Sequence, residues 1–473
     1  MGTAPAPAHV LVFPWPIQGH LNVMLHLAVA LAGAGVHVTF LHTDYNLRRL
    51  GAAAAAAVAS PWLRFMSVTD GLPDDHPRTV ANLGEISRSL HTAGRAAYRA
   101  LLASSSQLVP ADAAGGGAFP PVTTVVADAL LPFAIDVAEE LGVPALAFRT
   151  ASACSFLAYM SVPRLVELGE LPFPPGGDLD EPVRGVPGME GFLRRRDLPS
   201  PCRHHGANNN DDAAALLGRL ADAAVHCSKA RALILNTAAS LEAPALAHIA
   251  PRMRDVFAVG PLHAMSPAPA AATSLWRADD GCMAWLDCQA DRSRSSCPGS
   301  SPPGNPFLWV LRPDMVTARR RHADLQESVT AAAGDSKARV VGWAPQRDVL
   351  RHRAVGCFLT HAGWNSTLEA AVEGVPTVCW PFFTDQQINS RFVGGVWRTG
   401  LDMKDVCDAA VVARMVREAM ESGEIRASAQ SVARQLRRDV AEGGSSAMEL
   451  KRLVGFIGEL ATPIQHAKSE SEV

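Results

Sequence analysis

The amino-acid sequence predicts an α/β protein with two domains, each built around a doubly wound parallel sheet. Three observations predict this class. The chain has 473 residues, which is too long for a single hydrophobic core and suits two domains. Short continuous apolar runs, such as residues 9–13, are typical of strands that helices cover on both faces. Residues 357–380 follow the order strand, turn, helix and strand, which is the repeating unit of a parallel sheet.

Composition argues against several classes of protein. The net charge of −3 gives no sign of a surface for nucleic acid or anionic membranes. No run of about 18 apolar residues predicts a membrane span, and the first residues lack the basic and apolar regions of a signal peptide. The nine cysteines include no CxxC pair and no zinc spacing, which indicates free thiols in a reducing compartment. We therefore expect a cytoplasmic monomer.

The first predicted domain, residues 1–262, alternates strands with helices. Its strands are expected at residues 9–13, 36–41, 62–68, 122–128, 144–149, 232–236 and 256–262. Its helices are expected at about 21–32, 79–105, 131–141 and 151–168, and residues 175–215 are expected to form loops. Gly33 and Gly35 follow a helix and not a strand, so they end that helix and form no dinucleotide-binding fingerprint. A linker at 266–273 leads to the second domain, residues 274–445.

Two ionisable residues lie where strands of the first domain end. His20 is in the loop after the first strand, where open parallel sheets bind ligands. Asp128 ends the fourth strand, and the ends of neighbouring strands can meet. A carboxylate there would fix the tautomer of the imidazole and stabilise the imidazolium. The alternatives are a loop or capping role for His20, and for Asp128 a cap of the helix at 131–141.

Residues 343–386 are the most informative stretch of the chain. The strand within it ends at His361, and a tight turn at Gly363 precedes a helix that begins at Trp364 and stops at Gly374. The unpaired N–H groups and the positive dipole end of such a helix favour a phosphate. His361 can donate a hydrogen bond to the same anion. The alternative is an ordinary capped helix between two strands.

Four more side chains of this stretch can stack on a base or bind hydroxyl groups. Trp343 can stack on a base. Glu369 lies about one turn into the helix and can accept hydrogen bonds from ribose hydroxyls. Asp385 and Gln386 can bind sugar hydroxyls. For the tryptophans, burial in the core is the alternative.

This stretch closely resembles the signature box of the plant UDP-sugar-dependent glycosyltransferases. It has the same length, and the residues that match are Trp343, Gln346, His361, Gly363, Trp364, Asn365, Ser366, Glu369, Pro381, Asp385 and Gln386. The resemblance implies the GT-B fold, in which two Rossmann-like domains face a cleft. It also implies that this box, including Ala344, binds the UDP-sugar in the C-terminal domain. A last helix, at 446–460, would cross back onto the N-terminal domain.

The resemblance extends to the first domain through the motif PxxGH, which ends at His20. It implies that His20 is the general base for the acceptor hydroxyl and that Asp128 holds it. In the family the region after residue 150 lines the acceptor pocket. Phe156, Tyr159 and Met160 are therefore candidates for that pocket, with core packing an equal alternative.

The family resemblance also bears on the donor sugar and on metals. Gln386 occupies the position that the family associates with glucose. The helix start at 364–366 and His361 are implied to stabilise the leaving diphosphate. No metal or other cofactor is expected, because no DxD-like carboxylate pair is evident and the helix and histidine replace the cation.

One segment departs from the family pattern. Between Asp291 and Phe307 the family has a strand, a glycine turn that contacts the donor phosphates, and a helix. Here residues 294–306 are rich in Ser, Pro and Gly and are too few to form both elements. The first strand and helix of the C-terminal domain are therefore predicted to be missing, through a real deletion or a misread gene. Such a loss would leave an exposed sheet edge and compromise activity.

The predicted function is transfer of glucose from UDP-glucose to a hydroxyl of a small apolar acceptor, by direct displacement with inversion. The acceptor stays open among flavonoids, phenolics, terpenoids and hormones. The alternative is an impaired relative that binds a nucleotide or small molecule without turnover. A nicotinamide-dependent dehydrogenase is disfavoured, because no glycine fingerprint follows a strand.

Overall fold

The computed structural model describes residues 7–57, 60–79, 82–105, 119–174, 176–203, 211–266, 274–289, 305–312, 322–334, 336–405 and 408–462. Two predictions concern other parts of the chain. The linker lies outside the described residues from 267 onwards, and so does most of the segment 294–306, where a strand and a helix are predicted to be missing.

A sheet of seven parallel strands forms the first half of the molecule. Its strands are β1 (His9–Phe13), β2 (His37–Thr43), β3 (Leu63–Val68), β4 (Thr124–Asp128), β5 (Ala145–Arg149), β6 (Ala232–Leu235) and β7 (Val256–Ala258). Their spatial order is β3-β2-β1-β4-β5-β6-β7, and all seven predicted strands are confirmed. The strand order reverses between β1 and β4, which is where open α/β sheets bind ligands.

Helices surround this sheet. They are α1 (Gln18–Gly33), α2 (Asp44–Ala57), α3 (Leu83–Ser89), α4 (Arg95–Ser105), α5 (Pro132–Glu140), α6 (Ala153–Met160), α7 (Val162–Glu167), α8 (Asp211–His226), α9 (Ala239–Ile249) and α10 (Leu262–Met265). The first helix begins three residues earlier than predicted, because the carbonyl of Ile17 already accepts from the N–H groups of His20 and Leu21, both at 3.0 Å. His20 therefore lies in the first turn of α1 and not in the preceding loop.

Three other helix predictions are corrected. The helix predicted at 79–105 is two helices joined by a π-helical turn, Leu90–Gly94, which keeps both of those end residues buried. The helix predicted at 151–168 is interrupted near Pro163, whose missing N–H cannot continue the helical hydrogen bonds. Helix α8 begins at Asp211, inside a region expected to form loops. Its apolar residues recur at helical spacing and bury Leu217, Leu220 and Ala224.

The second half of the molecule repeats the alternation of strands and helices. Its elements are α11 (Cys282–Asp287), β8 (Phe307–Val310), α12 (His322–Ala333), β9 (Ala338–Val341), α13 (Gln346–Arg351), β10 (Phe358–Thr360), α14 (Trp364–Glu373), β11 (Thr377–Cys379), α15 (Gln386–Arg391), β12 (Gly400–Asp402), α16 (Ala409–Glu421), α17 (Gly423–Val440) and α18 (Ser445–Ala461). Helix α14 stops at Gly374, as predicted, in the left-handed conformation with φ 71°.

The strands of the second half form two separate parallel sheets within the described residues, β8-β9 and β10-β11-β12. Among the residues that the structure describes, β8 pairs only with β9, and β10 only with β11. Apolar side chains on these two strands are 42–44% exposed, namely Phe307, Trp309, Val310 and Leu359. Strand β11, by contrast, is fully buried. The predicted loss of a strand and a helix stays a prediction, because most of residues 294–306 lie outside the described residues.

Helix α18 packs on the sheet of the first half. Leu453 and Ile457 are fully buried in the same core as β1 and β2. The ring of Phe456 lies 5.4 Å from that of Phe257 in β7, and the guanidinium of Arg452 lies 3.8 Å from the centre of the Phe257 ring. Among the described residues, no helix combines the length and the apolar character needed to cross a membrane.

Candidate active site

His20 and Asp128 are in direct contact. The Nδ1 atom of His20 lies 2.6 Å from Oδ2 of Asp128, whose side chain is 1% exposed. The other carboxylate oxygen accepts from the N–H of Leu130 at 2.9 Å. Because a carboxylate only accepts hydrogen bonds, Nδ1 must carry the proton and Nε2 keeps a free lone pair. That arrangement leaves His20 with a basic nitrogen, and its side chain is 14% exposed.

Two further residues hold the imidazole. The hydroxyl oxygen of Thr150, directly after β5, lies 3.2 Å from Nδ1 of His20. The indole of Trp15 packs against the imidazole with the ring centres 5.4 Å apart and the planes 64° from parallel. The N–H of Trp15 also donates to Oδ2 of Asp128 at 3.3 Å. The sequence reasoning missed Thr150, although its place at the carboxyl end of a strand was a usable signal.

The turn before α14 brings His361 against the start of that helix. Ala362 adopts φ +61°, and Gly363 is the residue before the first helical turn. A Cβ at Gly363 would lie 2.6 Å from Nε2 of His361, so only glycine lets the imidazole approach this closely. No side chain of the described residues caps the start of α14. Its first N–H groups therefore remain suited to an anion.

Burial and two charged residues, Asp385 and Arg312, affect the pKa of His361. Part of the side chain is exposed to solvent, yet the protein packed around the imidazole lowers the pKa of His361. Asp385 opposes this effect and Arg312 adds to it. A neutral imidazole still donates one hydrogen bond, which is what a bound phosphate oxygen requires.

The two halves of the site meet at a hydrogen bond. The amide Nδ2 of Asn365, in the first turn of α14, donates to the carbonyl of Gly19 at 2.7 Å. Gly19 immediately precedes His20. The start of α14, which is the predicted phosphate site, therefore lies next to His20, the predicted base, where the two halves of the molecule meet.

Gln346, Ser366 and Glu369 form a polar cluster one turn further along α14. The amide Nε2 of Gln346 donates to Oε2 of Glu369 at 2.7 Å and to the hydroxyl of Ser366 at 3.1 Å. Burial raises the pKa of Glu369 to about 7, against the opposing effects of Gln346 and Arg347. A buried carboxyl with one amide partner has acceptor capacity left for hydroxyl groups of a ligand.

Hydrogen bonds with residues nearby in the chain orient the side chains of Asp385 and Gln386. Asp385 accepts from the amide of Asn389 at 2.7 Å and from the hydroxyl of Thr384 at 3.0 Å. The Oε1 atom of Gln386 accepts from the N–H groups of Phe382 and Phe383, both at 2.9 Å. These contacts use only the amide oxygen of Gln386, so among the described residues its amide nitrogen keeps its capacity to donate to a ligand.

Asn389 links both halves of the molecule and was missed from the sequence. Its Nδ2 also donates to the carbonyl of Ala362 at 3.0 Å, and its Oδ1 accepts from the hydroxyl of Ser152 at 2.8 Å. Ser152 in turn caps α6 through the N–H of Ser155. Asn389 lies beyond the end of the signature box, which is why the motif did not point to it.

Three of the predicted donor-binding residues, Trp343, Ala344 and Trp364, differ in how far they are buried. Trp343 is partly exposed, whereas Ala344 is buried. Trp364 is 4% exposed, and its indole N–H donates to the carbonyl of Asn236 at 2.8 Å. The ring of Trp364 therefore packs between the two halves of the molecule, in one apolar cluster with Leu241 and Leu368, as the core alternative expects.

The residues predicted to line the acceptor pocket are fully or partly buried. Phe156 and Tyr159 expose no surface, and Arg149 packs over both rings. Met160 is partly buried. For Phe156 and Tyr159 the surroundings favour core packing, the alternative already given with the prediction.

Comparisons with known proteins extend along the chain. A family model described as UDP-glucoronosyl and UDP-glucosyl transferase matches residues 321–419. The chain is 39% identical to a 7-deoxyloganetic acid glucosyl transferase of Catharanthus roseus, over 96% of this chain and 98% of the relative. It is 40% identical to a myricetin 3-O-rhamnoside 1,2-glucosyltransferase of Crocosmia x crocosmiiflora, over 98% of each chain.

Solved structures of the same architecture are also similar. An anthocyanidin 3-O-glucosyltransferase in complex with UDP matches with a TM-score of 0.75 at 23% identity, over 96% of this chain and 100% of that chain. Os79 from O. sativa in complex with UDP matches with a TM-score of 0.73 at 26% identity, over 95% of this chain and 100% of that chain. Both structures are GT-B proteins, so the predicted fold class is confirmed.

Proposed function

The chain belongs to the plant UDP-glycosyltransferases, and we propose that it transfers glucose from UDP-glucose to a hydroxyl of a small apolar molecule, with inversion at the anomeric carbon. The observation that carries this proposal is the 2.7 Å hydrogen bond from Asn365 to Gly19. It sets the uncapped start of α14 beside the residue that precedes His20.

In the proposed reaction, Nε2 of His20 takes the proton of the acceptor hydroxyl. The acceptor oxygen attacks the anomeric carbon as the bond from that carbon to the diphosphate oxygen breaks. Asp128 accepts from Nδ1 and stabilises the imidazolium that forms. The negative charge that develops on UDP is met by the N–H groups at the start of α14 and by His361.

The remaining contacts of the donor are proposed from the polar clusters. Trp343 and Ala344 would bind the uracil, with Trp343 stacking on its face. Gln346 and Glu369 would bind the ribose hydroxyls, and Asp385 and Gln386 the hydroxyls of the glucose. The sugar is proposed to be glucose because the relatives at 39–40% identity are named as glucosyltransferases.

The acceptor is proposed to be a small hydroxylated molecule with an apolar body. Relatives are named for an iridoid acid and for a flavonol glycoside, so a test panel should contain both chemistries together with simple phenols.

The proposal is tested by incubating the protein with UDP-glucose and this panel and measuring the glucoside by mass spectrometry. The variant H20A should lose at least about 100-fold in turnover, because general base catalysis contributes at least that much. The control is H226A, since His226 forms a separate pair with Asp136 at 3.0 Å. Turnover that persists in H20A would contradict the proposed base.

A second candidate function is binding of UDP or a small molecule without turnover. It is favoured by the open edges of β8 and β10, where Trp309 and Leu359 are 43% and 44% exposed. The family places a phosphate-contacting turn in the segment that precedes β8. Calorimetry with UDP separates the two functions when it is combined with the turnover assay. UDP binding without product from any acceptor would favour the second candidate.

A further inference from the structure

A column of planar groups lies where the two halves of the molecule meet. The indoles of Trp276 and Trp343 are stacked, with their planes 26° from parallel and their ring centres 6.5 Å apart. The guanidinium carbon of Arg49 lies 4.8 Å from the centre of the Trp276 ring, and that of Arg312 lies 5.9 Å from it. Trp276 therefore has one aromatic and two cationic neighbours, an arrangement that restricts the plane of its ring.

The backbone next to Trp276 is tied to the helix that contains His20. The N–H of Leu275 donates to Oε1 of Gln18 at 2.8 Å, and Gln18 lies two residues before His20 in α1. Arg49 is an exposed residue of α2, also in the first half of the molecule. Trp343, by contrast, follows β9 in the second half. Trp276 thus connects elements that hold the proposed base with the ring proposed to stack on uracil.

We propose that Trp276 is a positioning residue for the nucleotide: it fixes the plane of Trp343 and, with Arg49, couples UDP binding to the packing of α1 and α2. This inference rests on the proposed function, in which Trp343 stacks on the base. A partly exposed indole that is already oriented loses less rotational freedom when the base binds, so affinity rises. The residue would affect binding of the donor and leave the chemical step unchanged.

Arg49 offers a test that spares the core. It lies on the surface of α2 beside Arg48, which is also exposed and pairs with Asp74 at 2.6 Å. The guanidinium carbon of Arg49 also lies 5.6 Å from the centre of the Tyr45 ring. The variant R49A should weaken UDP binding about threefold, as expected when Trp276 loses its exposed cation–π contact with Arg49. R49K should resemble R49A, because an ammonium lacks the planar group that stacks on an indole. R48A is the matched control and should bind UDP with native affinity.

Trp276 itself is changed to Ala and to Phe. W276A should weaken UDP binding about tenfold, and W276F should recover part of the loss, because a phenyl ring still stacks. The measurements are the Kd for UDP by calorimetry and the KM and kcat for UDP-glucose. KM should rise in parallel with Kd while kcat stays within about twofold of native, a split that general unfolding would not produce.

Two results would overturn the inference about Trp276 without affecting the proposed function. Native UDP affinity in both W276A and R49A would overturn this inference and leave the proposed function intact. Equal weakening by R48A and R49A would also overturn it, because surface charge and not stacking would then explain the effect. If W276A fails to fold, W276F and R49A still carry the test. A native protein that binds no UDP would overturn the proposed function together with this inference.

Discussion

At the scale of single residues, the contact between His20 and Asp128 organises the site. Asp128 is almost completely buried and accepts three hydrogen bonds, from His20, Trp15 and Leu130. Such a carboxylate is held in one orientation, so it selects one tautomer of the imidazole. The proposed base at Nε2 depends on that selection.

The first prediction concerns this tautomer. In D128N an amide replaces the carboxylate, so the imidazolium loses its counter-charge and the tautomer is no longer fixed. Turnover of UDP-glucose with its acceptor should fall by about 100-fold or more, while the Kd for UDP stays near native. D136N, which changes the separate pair with His226, serves as the control. Native turnover in D128N would show that Asp128 does not support the base.

The sequence predicts some of these residues better than others. His20 and Asp128 can be chosen because one follows and the other ends an apolar strand, and the structure brings Nδ1 of His20 to 2.6 Å from Oδ2 of Asp128. Thr150 and Asn389 act through hydrogen bonds between elements distant in the chain, and no local pattern announces such partners. The stacking of Trp276 on Trp343 was missed for the same reason.

At the scale of elements, α14 supplies the proposed anion site. The helix has ten residues and a left-handed glycine at its end, and no side chain of the described residues caps its start. Its dipole and free N–H groups would place positive charge where a divalent ion stands in other nucleotide-sugar enzymes. Among the described residues, no three His, Cys, Asp or Glu side chains form a group that could hold a metal ion.

The second prediction is that turnover is independent of divalent metals. Addition of EDTA should leave the rate within about twofold of native, because the charge that stabilises the diphosphate is proposed to come from α14 and His361. Readdition of Mg²⁺ or Mn²⁺ should give no large increase. A rate that EDTA abolishes and Mg²⁺ restores would contradict the proposed role of the helix.

Elements are predictable where their signal is local. The strands of the first sheet are short segments rich in apolar residues, and each is found within a few residues of its prediction. The interruption of the helix at 79–105 could not be predicted in this way. Its π-helical turn, Leu90–Gly94, depends on packing against the core, and such packing leaves no pattern in the local sequence. Strand β12 has only three residues and is recognisable only through its pairing with β11.

At the scale of the whole molecule, a buried ionic group joins the two halves. The ammonium of Lys404 lies 2.9 Å from Asp197 and 3.2 Å from Asp402, and it donates to the carbonyl of Gln387 at 2.8 Å. Asp197 is fully buried. Burial alone would raise the pKa of Asp197, but hydrogen bonds from Arg194 and the nearby charge of Lys404 lower it.

The third prediction follows from this arrangement. K404M removes one partner of a buried carboxylate and should lower the free energy of unfolding by about 3 kcal/mol. The control K229M changes an exposed lysine that lies 3.8 Å from Asp136, and it should have little effect. Urea denaturation at neutral pH measures both. Equal stabilities of K404M and native protein would show that Arg194 and Arg391, at 3.0 Å and 3.5 Å from Asp197, compensate its charge without Lys404.

Buried histidines make the first half of the molecule sensitive to acid. Burial lowers the pKa of His9 to about 4, of His26 to about 3 and of His42 to about 4, from an ordinary value of 6.5. A lowered folded-state pKa means that the associated stability is fully present above pH 6.5. It is lost progressively as the pH falls from 6.5 towards the folded-state value.

Of these three histidines, His42 gives the clearest case for loss of stability in acid. Both of its ring nitrogens lack a hydrogen-bond partner in the part of the chain that the structure describes. The ring packs against Phe40 and Phe65, at 5.0 Å and 5.4 Å between ring centres. At pH 5 the unfolded chain is mostly protonated at this residue and the folded chain is not. The cost to the free energy of unfolding is about 2 kcal/mol, relative to pH 7.

The fourth prediction is that H42F reduces the loss of stability between pH 7 and pH 5. A phenyl ring fits among two other phenyl rings and takes up no proton, so the loss should shrink by about 2 kcal/mol. The measurement is urea denaturation of native protein and variant at both pH values. H248F is the control, because His248 is exposed and its replacement should leave the difference between the two pH values nearly unchanged. An equal loss of stability in native protein and H42F would mean that acid acts on the fold through the other buried histidines or through carboxylates such as Asp197.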